Sequence, residues 1–223
     1  RKRMTTDWYK ALITTPSFLG VKALKDFDIR RIRERFDWSF FFLAWGLKGR
    51  FPQILKDPKQ GPAAVKIYDE ARNMLDEIIA KKLLACNGVV GFFPANSVGD
   101  DIEVYTDETR SKRLVTFYTL RQQVIKTSDE PYYALSDFIA PKETGIKDYI
   151  GGFAVTGGLG MDKAIEHFKG EDDKILLLKI MADRLAEGFA EVLHEIVRKE
   201  YWGYAPEESI SLEAMLEGKY RGI

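Results

Sequence analysis

The spacing of apolar residues divides the chain into a helical first part, a strand-rich middle and a long helix near its end. Asp26 to Phe36 place Ile29, Ile32 and Phe36 on one helical face, with Arg30, Arg31, Arg33 and Arg35 largely elsewhere. Pro62 to Ala85 carries a second helical pattern through Val65, Tyr68, Ala71, Leu75 and Ile78 or Ile79, and Gly61-Pro62 supplies its start signal. The period then changes. Val89-Val90-Gly91-Phe92-Phe93 reads as a buried strand closed by Pro94, Ile102 to Tyr105 alternates, and Leu114 to Leu120 is rich in β-branched and aromatic residues. The Thr106-Asp107-Glu108-Thr109 stretch suits a hairpin turn, and Tyr149 to Thr156 is a further strand closed by Gly157-Gly158.

From Glu171 to about Lys199 runs the strongest helical pattern. Ile175, Leu178, Ala182, Leu185, Phe189, Leu193 and Ile196 form its apolar stripe. Asp172 and Asp173 at its start, and Arg198 and Lys199 at its end, complement the helix dipole. Helices around a group of strands, without regular βαβ alternation, define an α+β fold. Short turns between the strands favour antiparallel pairing. The opening segment, residues 1–20, reads as a linker that packs onto something.

Composition narrows the chemistry. Thirty-four basic residues balance thirty-four acidic ones, so no global field favours nucleic acid or an anionic membrane surface. The longest apolar run, Trp38 to Trp45, is interrupted by Ser39 and is far below the roughly 20 residues a membrane span needs. One cysteine, Cys86, and no secretory leader after Arg1-Lys2-Arg3 point to a cytoplasmic protein. With one Cys and two separated histidines, His167 and His194, neither a zinc-thiolate site nor a histidine-activated nucleophile is evident. Asp183, Glu187, Glu191 and His194 share one sector of the long helix, but the further glutamates that a di-iron bundle needs are lacking. An acidic face turned to solvent or to a cationic ligand is the better reading. Gly157-Gly158-Leu159-Gly160 lacks the Gly-Lys-Ser/Thr ending of a phosphate loop and reads as a strand-ending turn. Phe93-Pro94-Ala95-Asn96-Ser97 reads as a specific turn in which a buried Asn fixes loop backbone.

Several ordered phrases carry a family resemblance. They include Asp37-Trp38 with Phe41-Phe42, Gly49-Arg50-Phe51-Pro52, Phe93-Pro94-Ala95-Asn96 with Gly99-Asp100-Asp101-Ile102-Glu103, and Asp107-Glu108-Thr109-Arg110. Leu120-Arg121-Gln122-Gln123, Asp137 to Lys142, Asp148 to Gly151, Phe153 to Gly158, Ala182 to Glu187 and Trp202-Gly203-Tyr204-Ala205 follow in order. From Asp7 onward the chain resembles the activation domain of cobalamin-dependent methionine synthase. That resemblance implies a single C-shaped α+β domain with a central antiparallel sheet. It implies that residues 1–20 are a linker from a preceding corrinoid-binding domain, and residues 21–223 the activation domain.

It also implies a function: binding S-adenosylmethionine so that inactive cob(II)alamin is reduced and methylated again. Cobalamin would be held mainly by another domain, and zinc only in a homocysteine module that this chain lacks. The implied partners are the corrinoid-binding domain and a flavodoxin or flavoprotein reductase, the latter met through Arg50. The helix arginines Arg30, Arg31, Arg33 and Arg35 read first as a solvated face, with Arg30, Arg31 and Arg33 as the alternative extension of that docking surface. The implied ligand contacts are Asp37 and Glu187, carboxylates suited to a sulfonium and an amino group. As structural alternatives, Asp37 caps a helix and Glu187 lies in solvent. The family continues beyond Tyr220, Gly222 and Ile223 into an Arg-Pro-Ala-Pro-Gly-Tyr motif that this chain does not contain, so a truncated domain with weak ligand binding is expected. Isolated, the chain should not methylate homocysteine. A free-standing accessory or docking protein for a separate corrinoid methyltransferase is the competing reading.

Overall fold

The computed structural model describes residues 2–222, and the chain folds into two compact units that exchange segments. Five strands, β1 (Gly20–Leu24), β2 (Ala85–Val98), β3 (Asp101–Tyr105), β4 (Arg113–Tyr118) and β5 (Asp148–Leu159), form one sheet in the order β1-β2-β3-β4, with β5 also paired to β2. Six α-helices accompany them: α1 (Ile29–Arg33), α2 (Trp38–Ala44), α3 (Gly61–Lys81), α4 (Met161–His167), α5 (Asp172–Ile196) and α6 (Leu212–Leu216). The α+β reading is the observed fold. None of the described helices is long and apolar enough to cross a membrane.

The first unit comprises residues 1–22, 90–153 and 197–208. Its centre is the antiparallel β2–β3 and β3–β4 ladder, with Ala95 opposite Val104, Ser97 opposite Ile102 and Ile102 opposite Phe117. Alternation places Ala95, Ile102 and Val104 in a buried cluster with Phe93, Ile139 and Ile150 against it. Pro94 does not end β2, contrary to the pattern reading: the strand runs on to Val98, and its pairing with β3 begins just after the proline, at Ala95. Asn96 is nonetheless the loop-fixing residue expected. Its Nδ2 donates to Ala140 O at 2.9 Å and Ile146 O at 2.8 Å.

The β3–β4 loop then explains the Asp107-Glu108-Thr109-Arg110 phrase. Asp107 Oδ1 accepts from Thr109 N, and Arg110 takes a left-handed φ of 54°. That geometry sends the Arg110 guanidinium to Asn96 Oδ1 at 2.7 Å, Ala95 O at 3.0 Å and Asp148 O at 2.8 Å, so it ties β2 to β5. Buried Arg121 links the following loop. It reaches Asp137 with both terminal nitrogens at 2.6 and 2.7 Å and Asp100 at 2.7 Å, and these bonds hold the Asp137 carboxyl below the usual carboxylate range. In the returning segment, fully buried Arg198 bonds Glu208 through Nε and Nη2. Trp202 packs edge-on to Phe92 at 5.4 Å and donates to Thr14 O.

The second unit comprises residues 23–89, 154–196 and 209–223, and α5 is its axis. Of the expected stripe, Leu178, Ala182, Leu185, Phe189, Leu193 and Ile196 are buried, while Ile175 is partly exposed. Helix α1 is shorter than the pattern indicates. Asp28 caps it through Arg30 N, and Ile29, Ile32 and Phe36 are buried as expected. Helix α3 ends at Lys81, whose left-handed neighbour Lys82 turns the chain into β2. Its core side is set by Ala64, Ala71, Met74, Leu75 and Ile78, and Val65 faces outward.

Gly157 and Gly158 are not a turn but part of β5, which turns only after Leu159, where Gly160 has φ 94°. Gly157 is needed because the strand lies directly on α5. A Cβ there would stand 2.6 Å from Ala186 N and 2.8 Å from Ala182 O, backbone atoms that cannot rotate away. Gly157→Ala should therefore destabilise the protein by ~1–3 kcal/mol. Gly152→Ala, where a Cβ meets nothing within 4 Å, serves as the control and should stay within ~0.5 kcal/mol of the parent. Urea unfolding of the two variants decides the point, and equal midpoints would show that β5 does not rest on α5 this closely.

Candidate functional site

The site is assembled where α1 gives way to α2. Residues Glu34 to Phe36 leave the first helix, and Asp37 becomes the N-cap of the second, accepting Ser39 N through Oδ1 at 2.8 Å. An Asp in this position satisfies a backbone donor that the helix start would otherwise leave open. Behind it, Trp38 anchors an aromatic cluster, with ring centroids 4.7 Å from Phe36, 5.4 Å from Phe41 and 4.7 Å from Tyr68. Phe51 joins the cluster 5.2 Å from Tyr68. Phe41 and Phe42 point inward and are fully buried, whereas Phe40 points the other way and is 57% exposed.

The facing side comes from α5. Gly188 allows its approach to α1, since a Cβ there would sit 3.0 Å from Ile32 Cγ2. One residue earlier, Glu187 projects from the helix. Both of its oxygens are taken by Arg184, at 2.6 and 2.5 Å, and the Arg184 guanidinium also lies 6.0 Å from the Phe40 centroid. Helix α6 adds a third side, capped by Ser211, whose Oγ accepts Ala214 N at 3.1 Å.

These elements enclose a cavity of about 1110 Å³, lined by residues of all three sides and by the Arg50–Gln53 loop. That is large for a small-molecule site, where roughly 300–1,000 Å³ is usual. The cavity holds both residues that the resemblance singled out, Asp37 and Glu187, and every lining residue belongs to the second unit. It also holds residues that pattern reading did not select: Ser39 and Phe40 from α2, Glu213 and Glu217 from α6. Phe40 could have been noticed as the outward residue in an otherwise inward aromatic run. Glu213 lies in, and Glu217 just after, a short helix whose place no periodicity reveals.

Charge in the cavity is unequal. Glu34, Asp37, Glu187, Glu191, Glu213 and Glu217 line it against Arg33, Arg35, Arg50 and Arg184. Arg33 and Arg35 are spent on Asp76 and Glu195, which lie outside the lining, at 2.7 and 2.9 Å. Arg184 neutralises Glu187. Lys219, and more weakly Arg50, hold the Glu217 carboxyl below its ordinary range. Glu34, Asp37 and Glu213 then stand against Arg50, a balance that suits a cation. For Asp37, the bond from Ser39 N is the one hydrogen bond found among the described residues, and it leaves Oδ2 open. The arginine cluster of α1 is engaged largely within the chain. Arg30 is bound to Asp28, Arg33 to Asp76, and Arg31 lies over the Phe27 ring at 5.1 Å.

This fold is that of a known class of α+β domain. The chain belongs to the family described as "Vitamin B12 dependent methionine synthase, activation domain", which matches residues 28–223. Among solved structures it is similar to one described as "Crystal Structure of the MetH Reactivation Domain bound to AdoHcy". The two share 45% sequence identity with a TM-score of 0.93, and the match covers 100% of this chain and 68% of that one. The family places the chain within a methyltransferase.

Because Asp37 caps α2, its structural and chemical roles must be separable. Asp37→Ala should cost ~0.5–2 kcal/mol of stability, whereas Asp37→Asn, also a good cap, should cost a few tenths. Thermal unfolding of both variants measures this, and equal losses would mean that the cap bond contributes nothing.

Proposed function

We propose that this chain binds S-adenosylmethionine in the cavity between α1–α2, α5 and α6, and that it serves the reductive methylation of inactive cob(II)alamin in methionine biosynthesis. The observation that carries this reading is the meeting of Asp37 and Glu187 in one acidic, aromatic-walled cavity. The similar MetH reactivation domain, described as bound to AdoHcy, supports the same ligand class.

S-adenosylmethionine would supply an activated methyl group on a positively charged sulfur. The protein's part in such chemistry is to position, since displacement at a sulfonium methyl needs alignment and no protein base. Asp37, with one oxygen held by the helix cap and the other open, is suited to the ligand's cationic portion. Glu187 can take part only by sharing its charge with Arg184 or by leaving it, so its contribution is smaller than that of Asp37. The exposed ring of Phe40 and the wall of Trp38 and Phe51 supply apolar surface to a nucleoside. Cobalamin would be held mainly by a corrinoid-binding domain, the first partner of this chain. The electron would come from a flavodoxin or a flavoprotein reductase. Of the basic residues considered for that contact, Arg50 and Arg31 make no ion pair with a carboxylate among the described residues and are the better candidates.

The test is the affinity of the full-length protein. Asp37→Asn keeps the cap and removes the charge. A charge-assisted hydrogen bond is worth roughly 1.5–3 kcal/mol, so binding of S-adenosylmethionine should weaken about 10- to 150-fold. Titration calorimetry with S-adenosylhomocysteine, which keeps the amino group and lacks the sulfonium charge, locates the contact. Equal losses place Asp37 on the amino group, and a loss confined to S-adenosylmethionine places it on sulfur. Unchanged affinity for both ligands in a folded variant would remove Asp37 from the site.

A further inference from the structure

Ser39 makes two bonds that point in different directions. Its backbone N–H is the donor that fixes Asp37 Oδ1 at 2.8 Å. Its side-chain Oγ accepts the backbone N–H of Phe51 at 3.1 Å, twelve residues further along the chain. Asp37 and Ser39 line the cavity from the start of α2, and Arg50, Phe51, Pro52 and Gln53 line it from the loop that follows α2. One residue, through its backbone N–H and its side-chain hydroxyl, thus joins the carboxylate offered to a ligand with the loop beside it.

The loop has few other ties of this kind. Phe51 is held sideways by its ring contacts with Trp38, Phe42 and Tyr68, at 6.3, 6.4 and 5.2 Å. Ring packing of that sort is broad in angle and tolerates sliding. A hydrogen bond to a specific amide is not tolerant, because it weakens steeply with misalignment. Ile54 N donates to Arg50 O at 2.9 Å, which shapes the loop internally but does not attach it to α2. The Ser39 Oγ bond is therefore what sets the register of the loop against Asp37. The hydroxyl hydrogen is left over, since the oxygen acts as acceptor toward Phe51, and Ser39 is itself a lining residue.

We infer that Ser39 is a positioning residue of the ligand site, fixing the Asp37 carboxylate and the Arg50–Gln53 loop at a set separation through its two hydrogen bonds. This rests on the reading that the cavity takes S-adenosylmethionine and adds the device that keeps these two parts of its lining in register. Ser39→Ala retains the backbone bond to Asp37 and removes only the bond to Phe51. Ser39→Thr retains both.

The experiment uses the full-length protein with S-adenosylmethionine and S-adenosylhomocysteine as probes. In Ser39→Ala, hydrogen exchange at the Phe51 amide should accelerate, and both ligands should bind about 3- to 12-fold more weakly, the worth of one neutral hydrogen bond. Ser39→Thr should restore exchange and affinity to near the parent values, which a general loss of stability would not do. If Ser39→Ala does not yield folded protein, Ser39→Cys, with a weaker acceptor of similar size, should show faster Phe51 exchange and weaker binding of both ligands than Ser39→Thr, and values equal to Ser39→Thr would overturn the role of Ser39. Affinity unchanged in Ser39→Ala while Asp37→Asn still weakens binding would overturn the role of Ser39 and leave the ligand reading standing. A Ser39→Thr variant no better than Ser39→Ala would also overturn it. No binding of either ligand by the parent protein would overturn both.

Discussion

The second unit depends on how closely other elements can approach α5. The helix carries its apolar stripe inward, and at two points its neighbours come nearer than side chains normally permit. At Gly157 the strand β5 lies against the backbone of Ala182 and Ala186, and at Gly188 the helix itself is bare so that Ile32 of α1 can lie against it. The second contact matters for the site. It puts the end of α1, and hence the cap residue Asp37, on the same cavity as Glu187, the next-door residue on α5. A larger side chain at either glycine would push the elements apart by some fraction of a methyl group's width. In a close-packed interior that displacement is transmitted and not absorbed.

The first unit solves a different problem, that of holding long connections without helices. It does so with arginines, two of them buried and one, Arg110, partly so. Arg110 gathers Asn96, Ala95 and Asp148, Arg121 gathers Asp100 and Asp137, and Arg198 gathers Glu208. A buried pair of this type is not a large net source of stability, but removing one partner is costly. The Arg121–Asp137 pair also has a pH signature. A carboxyl held low in the folded state adds stability above its unfolded pKa, and that stability is lost as pH falls through the folded value.

How much of this was legible in the sequence depended on whether a feature was periodic. The α5 stripe was plain because six buried residues repeat at helical spacing over a long segment. The strands were legible as strands, but their ends were not. Pro94 and Gly157-Gly158 are ordinary stop signals, and here tertiary contacts override them: β2 continues past its proline, and β5 needs the missing Cβ to reach α5. Val65 and Ala64 exchange roles in α3 because neighbouring helical positions differ by about 100° and the outward one happened to be apolar. Asp37 and Glu187 were named through resemblance, since nothing in their spacing brings together residues so far apart. The partner of Glu187, Arg184, stands at helical i,i+3 spacing and was open to prediction. Ser39 was not, because its significance lies in a bond to Phe51.

Several of the ordered phrases that carry the resemblance prove to be structural devices. Asp107 to Arg110 builds a loop that aims an arginine, and Phe93 to Asn96 carries the amide that arginine meets. The cavity is a separate matter, with more acidic than basic lining residues where the chain as a whole is balanced in charge. The most direct test of its assignment is a crystal structure of the full-length protein with S-adenosylhomocysteine. The account predicts ligand density in this cavity, with the ligand's amino group or its sulfur beside Asp37 Oδ2 and the Ser39–Phe51 bond intact. Ligand bound elsewhere, with Asp37 contacting only its own helix, would contradict it.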